Sequence, residues 1–152
     1  MTLRDRLNDA LKSAMLAKNA TAVATVRLIL AALKDRDIAE RGRSNPEGLT
    51  DAQIAELLQA MIKQRRESSA LYTQGGRPEL ARQEADEIEV IKQFLPKQMT
   101  PDEVAAAIDQ AIDETEAGSL KDMGRIMGIL KGRFAGRMDF AKASTMVRQR
   151  LG

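Results

Sequence analysis

The residues best placed to do chemistry lie late in the chain. Between positions 121 and 152 stand Lys121, Arg125, Lys131, Arg133, Arg137, Lys142, Arg148 and Arg150 against only Asp122 and Asp139, a local charge of +6 in a chain whose overall balance is +2. Cations at that density attract phosphate backbones, and arginine can fork onto two phosphate oxygens. Gly124, Gly128, Gly132 and Gly136 recur every four residues through the same stretch. A glycine inside a helix costs about 1 kcal/mol relative to alanine, so the repeat calls for a reason. A second backbone packed against Gly124 and Gly128 is one, and close approach of a ligand backbone is the other. Gly132 and Gly136 are expected where the helix ends and the chain turns, leaving 131–137 as an exposed basic loop. Lys121, Arg125, Lys131, Arg133 and Arg137 are the first candidates for phosphate contact, with Arg148 and Arg150 behind them.

The segment just before carries the opposite sign. Residues 101–120 hold Asp102, Glu103, Asp109, Asp113, Glu114 and Glu116 and no Lys or Arg. Two outcomes stay open: this acidic helix pairs with the basic ones, or the basic surface stays free for a ligand. Lys63-Gln64-Arg65-Arg66-Glu67 is a second basic cluster, and Arg27 and Lys34 sit on successive turns of an earlier helix. Ion pairs or a solvated face explain these.

Much catalytic chemistry is excluded by what is missing. The chain has no His and no Cys, which removes the usual general base, thiol nucleophiles, disulfides and the commonest zinc ligands. Ser68, Ser69, Ser119 and Ser144 lack the strand–turn–helix setting of an activated serine. No phosphate-binding loop motif occurs. Asp109, Asp113 and Glu116 share a helical face without the loop and glycine of a calcium site, and read as a solvated acidic face. Tyr72, Phe94, Phe134 and Phe140 are too scattered to form a base-stacking platform. No catalytic residue, metal or cofactor is expected.

The elements that must carry these residues are helical. Leu3, Leu7, Leu11 and Met15 follow an i, i+4 rhythm behind Thr2, a plausible N-cap. Val23, Val26, Leu30 and Leu33 stripe a second helix running toward Gly42. Residues 44–48 then read as a loop. Thr50 with Gln53 and Thr100 with Glu103 are capping-box signatures, the second with Pro101 at the favoured first position. The third helix stops at Gly75-Gly76, and a fourth runs from Pro78 through Leu95 to Pro96. After Thr100 come a fifth helix ending at Gly118, a sixth capped by Ser119 and a seventh capped by Asp139. No alternating run suggests a strand, so the expected fold is all-α with about seven helices: a larger helical part over 1–98 and a three-helix part over 99–152.

In the order and spacing of several segments the chain resembles the YqeY family, small bacterial proteins related to the tail domain of the B subunit of tRNA-dependent amidotransferase. The resemblance rests on Thr25-Val26-Arg27-Leu28 with Lys34, on Lys63-Gln64-Arg65-Arg66-Glu67-Ser68, and on the run from Glu89 to Gln98. It continues through Lys121-Asp122-Met123-Gly124-Arg125-Ile126-Met127-Gly128 and Gly136-Arg137-Met138-Asp139. It implies an all-α chain whose small C-terminal part helps to hold tRNA, and it brings a family label of carbon–nitrogen ligase with glutamine as amido-N-donor. Where the tail domain has a basic Ala-Asn-Pro stretch, this chain has Gly136-Arg137-Met138-Asp139-Phe140; Asp139 keeps the helix cap without the asparagine.

The expected function is a non-catalytic accessory module binding tRNA or other structured RNA, with amidotransferase subunits or other proteins as further candidate partners. An alternative is a protein-interaction adaptor with an apolar groove rich in methionine, built on Met123, Met127, Met138 and Met146. The longest apolar run, Leu28 to Leu33, is far short of a membrane span, and the N-terminus has no apolar signal stretch. No membrane partner and a cytoplasmic location are therefore expected.

Overall fold

A computed structural model describes residues 1–42 and 47–152 and contains seven α-helices and no strand among them: α1 Leu3–Leu16, α2 Ala20–Arg41, α3 Asp51–Gln74, α4 Pro78–Lys92, α5 Pro101–Thr115, α6 Met123–Phe134 and α7 Phe140–Leu151. The all-α expectation holds. Most of the loop expected over 44–48 lies outside the described residues. No helix is long and apolar enough to cross a membrane among the described residues.

Helix starts follow the local signals. Thr2, Thr50 and Thr100 each accept a bond from the backbone N–H three residues on, and Asp5, Gln53 and Glu103 reciprocate. Asp139 caps α7 through the N–H groups of Ala141 and Lys142. Ser119 does not cap as expected. A 3₁₀ turn over Leu120–Asp122 precedes α6, and the Asp122 carboxylate reaches back to accept the Gly118 N–H at 3.1 Å. α4 stops at Lys92 instead of Leu95, because Gln93, Phe94 and Leu95 tighten onto carbonyls three residues back before Pro96.

The chain divides into two compact units, Met1–Leu95 and Pro96–Gly152. In the first, Leu7, Val26, Ile29, Leu33, Ile54, Leu58 and Ile91 from α1–α4 form the core. Thr25 is buried beside them, and its hydroxyl has no hydrogen-bond partner among the described residues. An unsatisfied buried hydroxyl costs free energy that a methyl in its place does not, so Thr25→Val should stabilise the protein by about 1 kcal/mol, read as a higher urea midpoint.

In the second unit Ile108 and Ala111 of α5, Ile126 and Leu130 of α6, and Ala143 and Val147 of α7 meet at full burial. Three amphipathic helices sharing one apolar centre must turn their polar faces outward. That places the late cations at the surface of this unit.

Candidate nucleic-acid interface

Lys121 lies in the 3₁₀ turn, Arg125, Lys131 and Arg133 on α6, Arg137 in the turn after it, and Arg148 and Arg150 on α7. All are exposed except Arg137, which is half-buried. Residues 131–134 are therefore the last turn of α6 and not a loop, while Gly136 makes the expected turn at φ +78°.

The acidic helix neutralises part of this set. Arg133 pairs with Glu114 at 2.7 Å and Arg150 with Asp109 at 2.7 Å, both carboxylates on α5. Arg125 pairs with Asp122 at 3.1 Å and also donates to the Thr115 carbonyl. The Arg133 guanidinium, with a second bond from Gln110, holds the Glu114 carboxyl below its usual range, and Glu114 in turn raises Arg133. Arg137 donates from Nε to the Lys97 carbonyl at 3.1 Å, while its own carbonyl accepts the Met99 N–H at 2.9 Å. Lys121, Lys131 and Arg148 have no carboxylate within ion-pair distance among the described residues, and neither does Lys142. Both sequence outcomes are thus realised in part: three arginines are paired, and three of the seven candidates stand open.

The glycines differ from expectation. Gly124, Gly128 and Gly132 lie within α6, and a Cβ at any of them would meet nothing within 4 Å, so no backbone among the described residues packs there. Spacing of i, i+4, i+7 and i+8 puts Gly124, Gly128, Lys131 and Gly132 on one outward face, opposite buried Ile126 and Leu130. The helix bears the cost of these glycines without intramolecular packing in return. Gly128→Ala, mid-helix, should stabilise the protein by about 1 kcal/mol in urea unfolding.

Arg65 of the 63–67 cluster pairs with Glu87 at 3.1 Å across α3 and α4, and Arg27 and Lys34 are exposed on α2. Met138 is buried, and Met123, Met127 and Met146 pack half-buried against the second core, which is where they are used. Sequence reading missed the partners of the arginines. Asp122 with Arg125 was readable as an i, i+3 pair, but Glu114 with Arg133 and Asp109 with Arg150 are joined only by tertiary packing.

Residues 4–151 match the model of the Yqey-like protein family. Over 113 residues the chain is 29% identical to the altered inheritance of mitochondria protein 41, mitochondrial, of Eremothecium gossypii, covering 73% of this chain and 60% of that protein. The protein of the same name from Clavispora lusitaniae is 33% identical over 61% of this chain and 51% of its own length. That from Saccharomyces cerevisiae is 29% identical over 80% and 66%. The chain spans roughly half to two thirds of the length of these relatives. Their names attach them to mitochondria, which overturns the cytoplasmic expectation. That expectation rested on a missing apolar stretch, and mitochondrial transit segments are amphipathic and Arg-rich, so its absence does not discriminate against them.

Proposed function

We propose that this chain, which belongs to the Yqey-like protein family, is a non-catalytic accessory module whose second unit docks tRNA or another structured RNA. One observation carries the reading: Lys121, Lys131 and Arg148 are exposed cations of one small unit with no carboxylate among the described residues to neutralise them. The open glycine face of α6 adds to it, because a phosphate backbone can approach a helix most closely where no side chain stands. The family resemblance to an amidotransferase tail supports tRNA over other polyanions, and recognition would be by shape and charge, since a 3% aromatic chain offers few stacking surfaces. Catalysis of amide transfer is not assigned to a chain with no His or Cys.

A mobility shift with bulk tRNA across a salt series tests this. Binding should weaken steeply as salt rises, with a log–log slope set by the number of phosphates engaged, about 0.9 per phosphate on a B-form duplex and less on single strands. Absence of a shift at low salt would remove the reading.

A further inference from the structure

We propose that the outward face of α2 is a docking surface for an acidic amphipathic helix of a partner protein. The surface belongs to the first unit, and the proposal stands apart from the polyanion reading of the second.

α2 turns Thr25, Val26, Ile29, Leu33 and Asp37 into the protein. At 3.6 residues per turn, the opposite side of the helix carries Ala20, Ala24, Leu28, Ala31 and Ile38. All five are exposed, Leu28 at 50% and Ile38 at 59%. A lone surface leucine is ordinary, and Leu71 of α3, with Glu67 and Gln74 beside it, is of that kind. Five apolar positions aligned over 20–38, about 27 Å of helix, are a continuous stripe that marks a site of association. Asp35 is the one acid on this side, at the edge shared with Leu28.

The other edge is basic. Arg27 and Lys34 stand two turns apart along it, and Arg41 continues the row at the end of the helix. Neither Arg27 nor Lys34 has a carboxylate within ion-pair distance among the described residues. The row is therefore open to charge from outside.

Shape and charge together choose the occupant. The centre of the stripe is alanine, which lets a second helix lie close, with Leu28 and Ile38 as its anchors. A lipid surface gains little from alanines, because binding there scales with the apolar area inserted. A second copy laid antiparallel about a two-fold axis would set each basic row against itself, and a parallel copy would offer that row a single acid, Asp35. A helix with Glu or Asp along one flank of its own apolar stripe meets both the stripe and the row.

Fluorescein-labelled helical peptides of about 20 residues, matched to the length of the stripe, probe the full chain. One set places Leu at helical spacing with Glu along one flank, in several registers, and a matched set carries Lys in place of Glu. The tightest Glu peptide should bind about tenfold more tightly than its Lys counterpart. Leu28→Ser/Ile38→Ser should weaken that binding about tenfold while the urea midpoint stays near wild type, since both side chains are exposed. Arg27→Glu/Lys34→Glu should reverse the preference so that the Lys peptide binds better, an exchange that misfolding does not produce. Equal binding of the two sets, or none, overturns the proposal. So does a dimer in sedimentation that Leu28→Ser/Ile38→Ser dissolves, which gives the face to a second copy. Flotation with mixed phosphatidylcholine–phosphatidylserine vesicles that the same variant abolishes also overturns it and gives the face to a lipid surface.

Discussion

Asp37→Ala is expected to lower the stability of the protein by about 3 kcal/mol, the low end of the loss seen when one partner of a buried pair is removed. Asp37 is only 7% exposed. Its carboxylate takes both arms of the Arg4 guanidinium, at 2.6 and 2.5 Å, and the Leu49 N–H at 2.9 Å, while Arg4 also donates to the Leu49 carbonyl at 2.9 Å. One side chain thereby ties α1, α2 and the strand of chain entering α3. Arg4 keeps 32% side-chain exposure, so water can solvate it after the loss, which holds the effect to the lower end. Gly48 closes the same knot. It stands at φ +87°, and a Cβ there would collide with the Asp37 carboxylate. Gly48→Ala should cost about 2 to 3 kcal/mol through that collision and the left-handed backbone together. The double variant should cost less than the sum, because Asp37→Ala removes the atoms the new methyl strikes. Urea midpoints of the three variants check this; strict additivity would mean that the two residues act separately.

The same carboxylate predicts an acid dependence. Its hydrogen bonds from Arg4, outweighing burial, lower its pKa from 3.8 to about 2. A depressed folded pKa contributes stability above the unfolded value, lost as pH falls from about 4 toward 2. At 1.36 kcal/mol per unit the loss is about 2 kcal/mol, and Asp37→Asn should abolish this share of the pH dependence.

Where a structural signal spans four residues, the sequence shows it: the Thr50 and Thr100 capping boxes, the Thr2 cap and the Asp139 cap are all in place. Ser119 misled because a carboxylate three residues on, Asp122, supplies the local bond instead. Gly132 misled because glycine at a helix end and glycine on an open helix face look alike without knowledge of what lies beside them. The sequence reading passed over Asp37, although its signal is local in part. It continues the i, i+4 series Ile29–Leu33 on the buried face of α2, and an acid on such a stripe requires a cation; only the identity of Arg4, 33 residues away, needed the fold. The candidate surface divides the same way. Local excess of positive charge was countable, but which arginines stay open depends on α5 lying against α6 and α7, and sequence separation carries no trace of that.

The distinction decides which substitutions test RNA binding. Reversing Arg133 and Arg137 would mix effects, since Arg133 holds Glu114 and Arg137 holds the Lys97 carbonyl. Lys121→Ala/Lys131→Ala/Arg148→Ala breaks no ion pair described in the structure. Its stability should therefore stay within about 0.5 kcal/mol per site of wild type, the range for surface changes away from special features. Its affinity for bulk tRNA at low salt should fall about 100-fold, and the log–log salt slope should shrink by about 2 to 3 if each cation meets one phosphate. Lys12→Ala/Lys34→Ala/Lys63→Ala removes the same charge from exposed positions of the first unit and should change affinity less than about threefold. A common loss in both triples would make the binding a matter of net charge. A loss confined to the first, with a shallower slope, is the signature of a defined surface, because only cations that touch phosphates change the number of counterions released.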